Sequence, residues 1–517
     1  MSRIEPSWGV VDTEINESVG RTQTDHSFEV ALGSRLRKGW GEVRARSFES
    51  KGTVRLSGDR VTIRTSVSRV FGADIDTNLE LSRADIYNVR VAGRLVQFDL
   101  VNGPGELEPL ILRARDKGEA DSIATAMPSQ MTPRYATENH QRLRFLEQIT
   151  TRTPHLWATW TIVAVTSLVF LTMVVGGAGF VAVKPASAIA HGSNFGPYTL
   201  SGQWWRLLTS VFIHFGLAHF AFNMIVLVQT GRITERLFGN ARFMALYLFA
   251  GLTGSLMSLL WHPGVNSAGA SGAIFGVLGG LLAYVIRYSD AIPRSIYLKH
   301  LRMAAVFICY NLFWGFTHRG IDNGAHIGGL IGGFMLACVL APSIDNSGSP
   351  RERLAMTLGV AGAVACVALG GLTWALMSFT ARPDRQAELH FAEVMHQVGV
   401  TEVRAVADLK ALAHEPVTAE GRAEYVRRIR TTVLPEWNQL YEAIDNAQVP
   451  PSSSEAVLKE RLLRYYGDVS KAMQMTADMA DKDKDGLRDP GAKAEIKALL
   501  DDAKRQAAAL RKGAAPL

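Results

Sequence analysis

The chain divides into three regimes of hydrophobic patterning. From about residue 28 to residue 128, apolar and polar positions alternate with period two, as in Thr53-Val54-Arg55-Leu56 and Val61-Thr62-Ile63-Arg64 on either side of Ser57-Gly58-Asp59-Arg60. That alternation predicts a β-hairpin. Further strands are predicted at 77–81, 86–91, 95–101 and 109–115, followed by a helix over 116–127. Beyond a polar, charged stretch the pattern changes to long apolar runs at 157–183, 207–228, 243–260, 271–286, 303–316, 325–340 and 358–379, seven candidate membrane spans. Several fall short of the ~20 residues that a lipid-facing span needs, as expected of helices buried or tilted in a bundle. From 382 to 517 the chain is polar with helical periodicity at 385–398, 419–434, 455–480 and 492–512, and Pro450-Pro451-Ser452-Ser453-Ser454 supplies a break and a cap before Glu455.

These regimes predict an α-helical polytopic membrane protein with a mainly-β domain before the spans and an α-helical domain after them. The expected layout is a mainly-β domain at 1–130, a linker at 131–154, a six-helix core at 155–345, a seventh membrane helix at 346–381 and a helical domain at 382–517. The β domain, with several antiparallel strands and one closing helix, resembles a pleckstrin-homology-like barrel in order and pattern. It carries no basic cluster at one turn, so protein contact or scaffolding is expected there rather than lipid headgroup binding.

Composition agrees with a membrane protein: the mean hydropathy of +0.08 lies above that of most soluble chains. Three cysteines, Cys309, Cys338 and Cys366, all sit in apolar runs and offer neither a disulfide framework nor metal-ligand spacing. No cofactor or metal is expected. A net charge of +7 without a dense basic tract gives a nucleic-acid role no support. Residues 1–16 contain no apolar core, so no cleavable signal peptide is expected.

Basic residues orient the spans. Arg142, Arg144 and Arg152 precede the first run, Arg232, Arg236 and Arg242 follow the second, Arg287, Arg294, Lys299 and Arg302 follow the fourth, and Arg351 and Arg353 precede the seventh. With seven spans all of these share one side, while the other carries chiefly Lys184, Arg206 and Arg319. The expectation is an integral protein of a bacterial inner membrane, with its amino terminus cytoplasmic and its carboxyl terminus outside.

Candidate chemistry lies in two glycine-striped runs. In Gly269-Ala270-Ser271-Gly272-Ala273-Ile274-Phe275-Gly276, with Gly280 beyond, a helix would align Gly272, Gly276 and Gly280, so a second helix could approach to near backbone contact. The partner is Ala325-His326-Ile327-Gly328-Gly329, where His326, Gly329 and Gly333 share one stripe. Such packing would bring Ser271 and His326 into hydrogen-bond reach, near the outer ends of both helices, making the serine a candidate nucleophile and the histidine its base. Taken singly, each small polar residue could equally be interhelical glue.

Together the motifs resemble those of the rhomboid intramembrane serine proteases: Gly269-x-Ser271-Gly272 in one helix and Ala325-His326-x-x-Gly329-x-x-x-Gly333 in another. The resemblance implies a catalytic Ser271–His326 dyad. It implies an oxyanion hole built from His219 and Asn223, which share a helix face at i, i+4, together with the amide of the nucleophile. Trp205-Arg206 matches the family's pair in the long first outer loop, and Gly231-x-x-x-Glu235-x-x-x-Gly239 matches its motif at the cytoplasmic end of the second span. Phe275 matches an aromatic against the catalytic histidine. His214 is left between supporting the loop and supporting the fold. The implied substrates are single-span membrane proteins entering from the lipid bilayer through a gate at the fifth span and the loop 317–324, cleaved near the outer surface, with no nucleic-acid partner. The alternative is a catalytically inactive rhomboid-like protein that binds and escorts clients. The soluble domains would bind regulators or mediate self-association. Asp481-Lys482-Asp483-Lys484-Asp485-Gly486 begins like a calcium loop, but Ala492 stands where the bidentate glutamate belongs, so a solvated acidic turn is expected.

Overall fold

A computed structural model describes residues 26–513 except 33, 40–41, 48–50, 68–74, 103–105, 129, 318–319, 343–349, 414–420, 451–452 and 483–489. The acidic turn at 483–489 and Arg319 lie outside the described residues. Two compact units result, residues 1–146 and 147–517.

The first unit contains β1 (His26–Leu32), β2 (Ser34–Gly39), β3 (Glu42–Ser47), β4 (Lys51–Ser57), β5 (Arg60–Val67), β6 (Ile75–Ser82), β7 (Ile86–Ala92), β8 (Leu95–Asn102), β9 (Glu106–Ala114), α1 (Lys117–Ala126) and the start of α2 (Pro133–Arg152). The hairpin read from the alternation is β4–β5, with Leu56 opposite Val61 and Ser57 opposite Arg60. Seven strands form one sheet in the order β6-β5-β4-β1-β9-β8-β7, while β2 and β3 pair separately. Two antiparallel meanders are therefore joined through β1 and β9. Val54, Leu56, Ile63, Phe98 and Leu112 point to one side and are covered by Ile123 and Ala124 of α1. Asp116 caps that helix by accepting from the Glu119 amide at 2.9 Å, and Glu119 accepts in return from the Arg115 amide at 2.7 Å. Asn88, at φ 55°, sits at the bulge in β7 and uses its side chain to bond Asp99 and the amide of Thr132 at the head of α2. Burial raises the phenol pKa of Tyr135 above its usual value, with the Arg90 guanidinium over its ring opposing. The stretch expected as a linker is thus largely the helix α2.

The second unit runs through α3 (Trp157–Val175), α4 (Pro185–Ala190), β10 (Asn194–Phe195), α5 (Gly196–Leu200), α6 (Arg206–Thr209), α7 (Leu217–Phe238), α8 (Asn240–Trp261), β11 (Asn266–Ser267), α9 (Ser271–Arg287), α10 (Arg294–Thr317), α11 (Asn323–Leu340) and α12 (Pro350–Thr380). It continues with α13 (Pro383–Ala413), α14 (Arg422–Arg428), α15 (Leu434–Asp445), α16 (Ser454–Lys482) and α17 (Pro490–Gly513). Among the described residues four helices are long and apolar enough to cross a membrane, and five are if the bent pair Arg206–Phe212 and Leu217–Phe238 counts as one span.

The second span differs from its expected place. The run 207–228 breaks where the two helical pieces meet at 91°, and the long helix extends from Leu217 to Phe238. Gly216 makes the corner at φ 136°, where a Cβ would strike the Val181 carbonyl. Leu207, Val211 and Ile213 look like span residues in sequence, yet they are buried within the protein. The first span is also shorter than expected, ending at Val175, after which Ala178 and Val183 pack with Ala188 and Ile213.

Glycines set the central packing. A Cβ on Gly329 would collide with the Gly272 carbonyl, and one on Gly333 with the Gly276 carbonyl, so α9 and α11 run in backbone contact. Glu235, fully buried, accepts from the amides of Ala158 and Thr159 at 2.8 and 2.9 Å and from the Thr159 hydroxyl at 2.5 Å. It therefore ties the end of α7 to the start of α3, while Gly231 leaves room for Thr159.

The C-terminal helices close a separate core around Trp437, Leu440, Tyr466 and Ile444. A π turn over Ile429–Val433 widens the chain just before Pro435, whose missing amide would otherwise break the α14–α15 rod.

Candidate active site

Ser271 is the first residue of α9, and His326 lies one turn into α11. The closeness of those two helices sets the pair: His326 Nε2 stands 2.9 Å from Ser271 Oγ. The histidine is 6% exposed, and the ring of Phe275 stacks on it at 4.2 Å with the planes 2° apart. A serine hydroxyl held to an imidazole whose plane is fixed by an aromatic face can pass its proton along that bond. The Nδ1 of His326 has no hydrogen-bond partner among the described residues, so no third group orients the ring from behind. Asp322 instead caps α11 by accepting from the Ala325 amide at 2.9 Å.

The strand before Ser271 is held from three sides. Gly269, at φ 132°, donates its amide to the Ser210 carbonyl at 2.9 Å, and the Ala270 amide donates to His214 Nε2 at 3.3 Å. A Cβ on Gly269 would sit 2.8 Å from Cε1 of His219. His214 is completely buried and its ring centre lies 5.1 Å from that of His219. The third hold is the β10–β11 ribbon, in which Asn194 pairs with Ser267 and Phe195 with Asn266. Asn194 is anchored through the Ser255 carbonyl at 2.9 Å.

His219 accepts from the Phe215 amide at 3.4 Å, and the Asn223 amide donates to the His219 carbonyl at 2.8 Å in its own helix. Both lie on α7, and His219 is the one that touches the nucleophile's loop, while the Asn223 side chain turns back onto its own helix. Gly272 abuts Ala325 at 3.2 Å measured from an added Cβ. Arg206 is buried in the outer loop, donating to the carbonyls of Ile189 and Ser193 at 2.7 and 3.0 Å and to Gln203 at 2.7 Å, while Trp205 beside it is half exposed. Arg206 thus organises the loop between α3 and α7 rather than reaching the pair.

His214 and the ribbon are the parts that sequence reasoning did not assign. The ribbon has two residues per strand, too few for any periodicity, and the role of His214 depends on the corner at Gly216.

Fold and site define a polytopic helical membrane protein with a hydrogen-bonded serine and histidine at the mouth of two glycine-packed helices. The Rhomboid domain family model matches residues 201–343, which contain Ser271, His326, Phe275, His214, His219 and Asn223, while β10 lies before them. The Bacillus subtilis rhomboid protease GluP is 39% identical over 196 residues, covering 38% of this chain and 37% of that one. YdcA, also from Bacillus subtilis, is 33% identical over 147 residues, covering 28% of this chain and 71% of its own. RHOMBOID-like protein 4 of Arabidopsis thaliana is 39% identical over 140 residues, 26% of this chain and 34% of that one. The chain belongs to the rhomboid family. It spans little more than a third of the length of GluP and of the Arabidopsis relative.

Proposed function

We propose that this protein is an intramembrane serine endopeptidase acting through a Ser271–His326 dyad, and the observation that carries the reading is the 2.9 Å contact between His326 Nε2 and Ser271 Oγ. Ser271 Oγ attacks a peptide carbonyl while its proton passes to His326 Nε2. The tetrahedral oxyanion is met by the open amides at the first turn of α9, with His219 and Asn223 as side-chain donors from α7. Each such donor is worth about 3 kcal/mol of barrier in a dry site. His326 then protonates the leaving amine, the C–N bond breaks, and an acyl ester remains on Ser271. Water attacks that ester as His326 takes its proton, and transfer of the proton back to Ser271 Oγ restores the dyad.

The substrates we propose are single-span membrane proteins that enter laterally past α10. A scissile bond must first leave its helix, because helical hydrogen bonds shield the carbonyl. The basic residues flanking the spans support a bacterial inner membrane, with 1–130 as a cytoplasmic pleckstrin-homology-like domain, 155–345 as the six-helix core, 346–381 as the seventh helix and 382–517 as an extracytoplasmic helical domain. The strand order and closing helix of the first unit support that label.

The test is cleavage of a labelled single-span substrate by the purified full chain. Native protein should cut, while Ser271→Ala and His326→Ala should lose cutting and keep their melting temperature. Intact substrate across several sequences with the native chain would instead support a client-binding protein without catalysis.

A further inference from the structure

At the end of the membrane domain away from the dyad, the turn between α2 and α3 and the last turns of α7 enclose an open cleft of about 460 Å³. His155, Trp157, Trp160, Arg232 and Arg236 line it. Arg232 and Arg236 share one face of α7 a turn apart, and they lie ~20 to 26 Å further along that helix than His219. The cleft therefore opens at the opposite membrane surface from the dyad.

Arg236 donates to the Thr150 hydroxyl at 2.8 Å, and among the described residues no carboxylate pairs with either guanidinium. Glu235, next to Arg236 in sequence, is fully buried with its oxygens taken by Ala158 and Thr159. Trp157 and Trp160 are half exposed at the start of α3, the position where indoles sit between headgroups and acyl chains. Below them Leu168, Leu171 and Val175 continue the same exposed face down the helix. Two convergent guanidiniums over an aromatic shelf, with an apolar track leading away, match one kind of ligand: an anionic group joined to hydrocarbon.

We propose that this cleft binds the phosphate of an anionic phospholipid in the leaflet opposite the dyad. The planar guanidiniums donate paired hydrogen bonds to the phosphate oxygens, the indoles cover the glycerol region, and the acyl chains lie along the α3 face. Bound there, one lipid bridges α3 and α7 beside the Glu235 clamp. This site does not depend on the protease reading, and its test reads binding rather than cleavage.

Delipidated full-length protein is titrated with phosphatidylglycerol or phosphatidylcholine, and retained lipid is counted by native mass spectrometry. The native chain should retain one phosphatidylglycerol at least about tenfold more tightly than phosphatidylcholine, a preference set by charge. In Arg232→Gln/Arg236→Gln the preference should fall at least about fivefold. Arg232→Lys/Arg236→Lys keeps the charge and the fold and should fall between the two, because the fork geometry is lost. Equal retention of phosphatidylglycerol by the native and glutamine forms would overturn the proposal. Displacement of the lipid by an equal concentration of inorganic phosphate would overturn it too, by making the cleft a site for the free anion.

Discussion

Gly269 concentrates the demands that the site places on single residues. At φ 132° and with His219 Cε1 only 2.8 Å from where a Cβ would stand, it tolerates no side chain. Gly269→Ala should therefore displace the strand entering Ser271, lowering kcat at least about tenfold with little change in KM, which steady-state cleavage kinetics would measure. Glu235 makes the opposite kind of demand: Glu235→Ala strands the buried amides of Ala158 and Thr159, at a cost of about 3 kcal/mol, so thermal melting should drop sharply. An unchanged melting temperature would mean that water replaces the carboxylate. Ser271 and His326 were legible in sequence because glycine spacing fixes which helix faces meet, and one residue at the head of each stripe then follows; Phe275 was legible only through the family resemblance. The hold of His214 on the Ala270 amide was not, because it exists only after the chain turns at Gly216.

Among the elements, α13 has the least expected neighbours. Ala392 packs with Ile189 and Phe195 of the outer loop, and a Cβ on Gly264 would meet Ala392 at 3.3 Å. Gly264 leads into β11, and Phe195 belongs to β10, so α13 lies against the ribbon that enters the nucleophile's strand. Enlarging that contact by Ala392→Trp should disturb the ribbon and slow cleavage several-fold while the C-terminal bundle, with its own core, stays folded; circular dichroism and cleavage rates on the full chain would check both. Apolar runs located α8 and α11 well and the start of α3, since lipid-facing and core residues are both apolar in a bundle. The same equivalence misplaced α7, because the buried loop residues Leu207, Val211 and Ile213 read as span. In the first unit, strict alternation placed the β4–β5 hairpin and its turn, with each strand running two or three residues further at its outer end, since a slip by one would turn every side chain over.

For the whole molecule, the join between the C-terminal helices and the membrane domain should respond to pH. His396 of α13 packs 5.8 Å from Phe195 and 5.7 Å from Tyr198, and its pKa is lowered by burial first and by Arg206 second, with Glu393 opposing. Freed from that contact the ring titrates near 6.5, so the released form binds the proton first. The join is therefore strongest above that value and weakens as pH falls below it. His396→Phe should flatten the dependence between about pH 7.5 and 5, read by hydrogen exchange at the outer loop. Unchanged pH dependence in that variant would assign the effect to another group. The account as a whole rests on an activated Ser271, and the most direct measurement is labelling of the full chain by a serine-reactive fluorophosphonate, located by peptide mass spectrometry. The account predicts one adduct on Ser271, lost in His326→Phe while the melting temperature holds. No adduct on Ser271, or equal labelling in His326→Phe, would contradict it.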